Sequence, residues 1–155
     1  MSILFAIPLM MVPPPLDERT EILFAVNDML GAVASGKQAD MQRTVDADGV
    51  LYRLDLRKDP VDLRIRRNAD MRAEPDRADG KIYAEKIGVP TLFQRGPLAQ
   101  VWAPYVFAID GRNTHCGIDN FTVVKREGRW IVASLSYTVE PLAACVELGA
   151  PESAQ

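Results

Sequence analysis

The stretch from residue 98 to residue 139 leaves the chain little choice of architecture. It reads as three long strands with tight turns between them. Asp110-Gly111 is a two-residue hairpin signal, because a type I′ turn needs positive φ at both central positions. Arg126-Glu127-Gly128 suits a three-residue loop with Gly128 in the left-handed region. Strands are therefore expected over 98–109, 115–125 and 129–139. A meander this long must bury one face against something, and the N-terminal part of the chain supplies it.

Residues 16–35 carry apolar side chains at Leu16, Ile22, Leu23, Val26, Met29, Leu30 and Val33, the spacing of one helix face. Asp17, Glu18 and Glu21 fall in the first turn, where the helix dipole favours negative charge, and Gly36 is placed to cap the end. A short helix over 37–45 follows. Strands are expected over 50–55 and 61–66, then a short helix and loop over 68–80, then strands over 82–89 and 91–94. Helices first and a meander afterwards is an α+β layout, with helices packed on one sheet face.

Counting back from the two turns sets a register. The first pairs Ile109 with Arg112, hence Val106 with His115 and Trp102 with Asp119. The second pairs Lys125 with Arg129, hence Asp119 with Leu135 and Gly117 with Tyr137. Side chains alternate across a sheet, so this register puts Trp102, His115, Asp119 and Tyr137 on one face. Gly117, lacking a side chain, is expected to leave a gap there that a ligand could fill. Cys116 falls on the opposite face, as a small hydrophobe. Pro104 lies mid-strand and is the expected place for a bulge.

The four grouped residues are the candidate ligand-binding set, with His115 and Asp119 as candidate general bases. Aspartate is disfavoured mid-strand, and a buried carboxylate needs a partner, a ligand or a raised pKa. His115 and Asp119 stand four residues apart on one strand, roughly 13 Å, so they cannot form a local dyad.

Composition narrows the function classes. With 155 residues and a net charge of −3, the chain is expected to be one domain without nucleic-acid affinity. Segment 53–77 holds eight Arg or Lys but also six Asp or Glu, so its field nearly cancels and a solvated face is expected. One histidine rules out a histidine-rich metal centre, and no metal or cofactor is expected. Cys116 and Cys145 lack the spacing of a disulfide framework or a zinc site. The apolar run 3–12, ahead of Pro13-Pro14-Pro15, is too short to span a bilayer and lacks a basic signal-peptide start. Residues 1–15 are read as a lead-in, 16–142 as the domain and 143–155 as a tail. Cytoplasm and periplasm both remain open.

The block Val101-Trp102-Ala103-Pro104-Tyr105, Asp110-Gly111, His115-Cys116-Gly117-Ile118-Asp119 and Gly128-Arg129-Trp130-Ile131-Val132, running into Tyr137-Thr138, resembles the nuclear transport factor 2-like superfamily. Within it, the block is most similar to a branch that carries a lumazine-binding label. The resemblance implies N-terminal helices over a strongly curved antiparallel sheet, a cone-shaped pocket and frequent homodimers. It also implies that one fold can serve a small-molecule-binding domain, a cofactor-free lyase, isomerase or hydrolase, or a homodimeric assembly domain. The binding domain is the leading expectation. The tyrosine or histidine partners that the superfamily's dehydratases and isomerases bring to the pocket are not found in the first helices.

Overall fold

The structure is a computed structural model and describes residues 17–154; the expected lead-in over 1–15 lies outside them. Helix α1 spans Glu18–Ser35. Asp17 caps it by accepting from the Thr20 backbone N–H at 2.8 Å, and Gly36 ends it at φ 63°. Helix α2, Gln38–Thr44, follows, then the hairpin of β1, Val50–Asp55, and β2, Asp62–Arg67. Helix α3, Asn68–Ala73, precedes β3, Tyr83–Ile87, and β4, Thr91–Arg95. The long strands β5, Leu98–Ile109, β6, Arg112–Arg126, and β7, Arg129–Val139, complete the sheet, and α4, Cys145–Leu148, follows them.

The strands run in the order β2-β1-β7-β6-β5-β3, with β4 also on β5. The sheet is mixed rather than wholly antiparallel, because β1 joins β7 in parallel. Strand β5 is shared along its length: Leu98–Trp102 pairs with β4, and Tyr105–Ile109 pairs with β3. Pro104 stands in the gap between these partners, where its missing N–H costs no ladder bond. The expected bulge is not there.

Register shifts occur instead near both hairpins. Phe107 pairs with His115 but Ala108 with Asn113, which leaves Thr114 as an extra residue. The turn after β6 is two residues, Glu127-Gly128, both at positive φ, so Arg126 rather than Lys125 pairs with Arg129. A second shift leaves Ala133 unpaired between Thr122↔Ser134 and Val123↔Val132. Two polar contacts hold this point: Asn68 Nδ2 donates to the Ala133 carbonyl at 3.0 Å, and the Asp46 N–H to the Val132 carbonyl at 2.9 Å.

The core lies between α1 and the concave face. Ile22, Val26 and Met29 pack with Val101, Phe121, Val123, Val132 and Leu135, all buried. The apolar residues of β2, Leu63 and Ile65, are not in it; they are more than half exposed, and the other side of that strand brings Arg66 to the concave face.

The two cysteines form a disulfide, Cys116–Cys145, contrary to the expectation from their spacing. Cys116 does sit on the outer sheet face, buried. What spacing could not convey is that the tail folds back under that face, where Ala154 packs on Val106 and Ala108 and Asn113 Nδ2 donates to the Glu152 carbonyl at 2.8 Å.

Candidate functional site

A cavity of about 590 Å³ opens between the concave face and the helices. Met29 and Ala32 from α1, Met41 from α2 and Met71 from α3 form its helical wall. The sheet contributes Leu51, Leu135, Tyr105, Phe107 and Tyr137, and the polar groups Glu85, His115, Asp119 and Arg53. Such a wall, mostly apolar with a few convergent polar groups, is the usual build of a small-molecule site.

Asp119 is its most constrained member, being only 1 % exposed. The Thr114 bulge places it opposite Ala103 on β5, and the shorter turn together with the Ala133 bulge places it opposite Tyr137 on β7, where hairpin counting expects Trp102 and Leu135. Its carboxyl is hydrogen-bonded to that of Glu85, which comes from β3, and Asp119 Oδ2 is buried with no donor reaching it. Burial, then the Glu85 charge, hold Asp119 well above the usual carboxylate range. Burial likewise pushes Glu85 up to about 7, with the bond to Asp119 opposing the rise. Two adjoining carboxyls taken out of water cannot both ionise, so the pair keeps one proton at neutral pH.

His115 starts its segment immediately after the Thr114 bulge. Its ring stacks on Phe107 with centroids 5.0 Å apart, meets Tyr105 edge-on at 5.8 Å, and has Thr114 Oγ1 2.9 Å from Nδ1. Burial, with help from Arg57 and Arg53, pulls its pKa down to about 4, so the ring is neutral at pH 7. Tyr105 is fully buried and donates its hydroxyl proton to the Thr138 carbonyl at 2.6 Å. Tyr137 lies edge-on to Tyr105 at 6.3 Å, and burial raises its pKa.

The arginines of the wall are committed elsewhere. Arg53 donates to Asp55 at 2.8 Å, Arg66 to Glu74, and Arg77 to the Val33 and Ala34 carbonyls at 2.9 and 2.7 Å. Arg53 and Arg57 together hold the buried Asp55 carboxyl far below its ordinary range, with Arg57 the larger cause. Among the described residues no group of His, Cys, Asp and Glu is arranged to hold a metal ion.

Three of the four residues grouped from the sequence, His115, Asp119 and Tyr137, therefore line one cavity. Trp102 does not join them: the Thr114 bulge turns it to the outer face, 51 % exposed, and brings Tyr105 and Phe107 inward. Gly117 leaves no gap either. A Cβ there would stand 2.1 Å from the Thr138 carbonyl oxygen, so the glycine admits the backbone to which Tyr105 bonds. Glu85 was not foreseen, although a glutamate inside an apolar strand segment is the same signal that singled out Asp119.

No protein-family model and no curated protein matches the sequence. Solved structures do match its shape. A nuclear transport factor 2-like protein from Cytophaga hutchinsonii is 12 % identical, with a TM-score of 0.64 over 80 % of this chain and 99 % of its own. One from Shewanella baltica, of unknown function, is 16 % identical, with a TM-score of 0.55 over 80 % and 94 %. Another, from Novosphingobium aromaticivorans and described as having a cystatin-like fold, is 16 % identical, with a TM-score of 0.57 over 85 % and 88 %. These likenesses concern the fold and do not reach the narrower lumazine-binding branch.

Proposed function

With the nuclear transport factor 2-like α+β cone as its scaffold, we propose that this chain is a small-molecule-binding domain whose ligand occupies the cavity above Asp119. One observation carries the reading. A carboxyl that is almost wholly buried has a single protein partner, itself a carboxyl, and faces a cavity of about 590 Å³. Leaving a buried polar group unmatched costs on the order of 1–3 kcal/mol. A protein that needed the space only for packing would do better with an apolar residue there.

Native mass spectrometry of the purified chain tests this. A stoichiometric small molecule, absent from the Asp119→Ala variant, is the expected result. A ligand-free chain whose melting temperature no member of a fragment collection raises would defeat the reading.

Catalysis is the second reading, favoured by Glu85. A carboxyl at about pH 7, beside one that keeps its proton, is matched to proton abstraction at neutral pH. In that case Glu85 takes the role of base for which His115 and Asp119 were the sequence candidates, and His115, neutral, serves as wall. The outer face supports a companion proposal of a homodimer, since Tyr52, Leu63, Ile65 and Trp102 are all exposed on it. Sedimentation equilibrium that returns a 17.2 kDa species at high concentration would dispose of that dimer.

A further inference from the structure

We propose that the ligand of this cavity is a nitrogenous base, presenting N–H donors and positively charged when bound, of the aromatic amidine or amine class. The inference rests on the cavity reading and goes on to name the chemistry that fits it.

The cavity wall offers carboxyl acceptors where Asp119 and Glu85 meet. Each carboxyl finds only the other as a hydrogen-bonding partner. The proton held between them is committed to their mutual bond, so what remains to a ligand is lone pairs. Most of the donors nearby are spent, the Tyr137 hydroxyl and the His115 ring being the ones left to the wall. Tyr105 gives its proton to the Thr138 carbonyl, Arg53 is held by Asp55, Arg66 by Glu74, and Arg77 by two α1 carbonyls. The pair, Asp119 buried and Glu85 half-buried, thus carries a negative charge without an ion-pair partner from the protein.

The rings complete the fit. Tyr105, Tyr137, Phe107 and His115 form a linked aromatic wall, with successive centroids 5.0 to 6.3 Å apart. Aromatic faces attract cations, and they stack on a flat ligand ring. A carboxylic acid would bring like charge to the pair, and a neutral carbonyl compound would set acceptor against acceptor. An amidinium offers parallel N–H groups that a carboxylate accepts in pairs.

The test uses the full chain and three isosteric probes: naphthamidine, naphthamide and naphthoate, followed by calorimetry and thermal shift. Naphthamidine is expected to bind and to raise the melting temperature, naphthamide to bind at least tenfold more weakly, and naphthoate not to bind. The double variant Glu85→Gln, Asp119→Asn, checked for folding by circular dichroism, should lose naphthamidine at least tenfold. Naphthamide or naphthoate binding as tightly as naphthamidine overturns the base while leaving the cavity reading intact. So does naphthamidine affinity unchanged in the double variant. If no probe binds, the compound released in native mass spectrometry decides: a nitrogenous base supports the proposal, and an acid or neutral carbonyl compound overturns it. With no probe bound and no compound released, both readings fall together.

Discussion

Asp119 and Glu85 make stability depend on pH with a sign that is easy to misjudge. In the folded chain Glu85 holds its proton up to about pH 7, whereas an unfolded glutamate releases it near 4.5. Between those values the folded state binds more protons, so stability falls as pH rises, by roughly 3 kcal/mol for Glu85 alone. His115 acts the other way. Its folded pKa of about 4 lies below the unfolded 6.5, so its contribution is lost as pH falls through that interval. Urea melts at pH 5 and pH 8 should show the Glu85→Gln, Asp119→Asn variant gaining more over the wild type at pH 8 than at pH 5. In that variant the His115 slope is exposed, and stability should climb with pH from 4 to 6.5. An unchanged difference between the two pH values would mean that the pair is not buried as described. Gly117→Ala is predicted to cost about 3 kcal/mol in the same melts, because its Cβ would meet the Thr138 carbonyl oxygen at 2.1 Å. Asp119 was visible in the sequence as a carboxylate within an apolar strand. Glu85 carried the same signal, but no turn ties its short strand to β5 and nothing local says which face it takes.

At the scale of the elements, two single-residue insertions decide which side chains meet. Both hairpin turns can be located from glycine positions, but a register counted from a turn survives only until the first bulge. Thr114 and Ala133 carry no composition signal; Thr114 is a good strand residue, and its hydroxyl instead bonds the Phe107 carbonyl at 3.3 Å. The helices, the strand order of the meander and the β-face of His115 and Asp119 were therefore legible. The exchange of Trp102 for Tyr105 across the sheet was not. The Ala133 bulge is held by a residue 65 positions away, Asn68, whose side-chain amide also donates to the Asp46 carbonyl at 2.8 Å. Asn68 is 2 % exposed, so Asn68→Ala would strand the buried bond to the Asp46 carbonyl and the part-buried one to the Ala133 carbonyl. The expected loss is roughly 2–4 kcal/mol in chemical denaturation, from two hydrogen bonds to a buried donor. A neutral substitution would show that the bulge is held by the sheet alone.

For the whole molecule the decisive contact is the one that the cysteine spacing hid. Helix α4 and the residues after it lie under the outer face of β5 and β6, and the Cys116–Cys145 bridge ties them there across a separation of 29 residues. On chain-entropy grounds a loop of that size is worth roughly 3–4 kcal/mol. Noncovalent contacts supplement it, among them two alanines on Val106 and Ala108 and the Asn113 bond to the Glu152 carbonyl. The concave side has its own core on α1, which shares no residue with this patch. Removing the bridge should therefore free the tail before it unfolds the cone. The Cys145→Ser variant, or the wild type in reductant, is predicted to lose its C-terminal segment to limited proteolysis at around residue 141 while the remainder stays folded by circular dichroism. Its melting temperature should drop and the affinity of the cavity for its ligand should not, because Cys116 projects away from the cavity that His115 lines. Loss of ligand affinity in step with stability would instead show that the tail braces β6, and through it the position of Asp119.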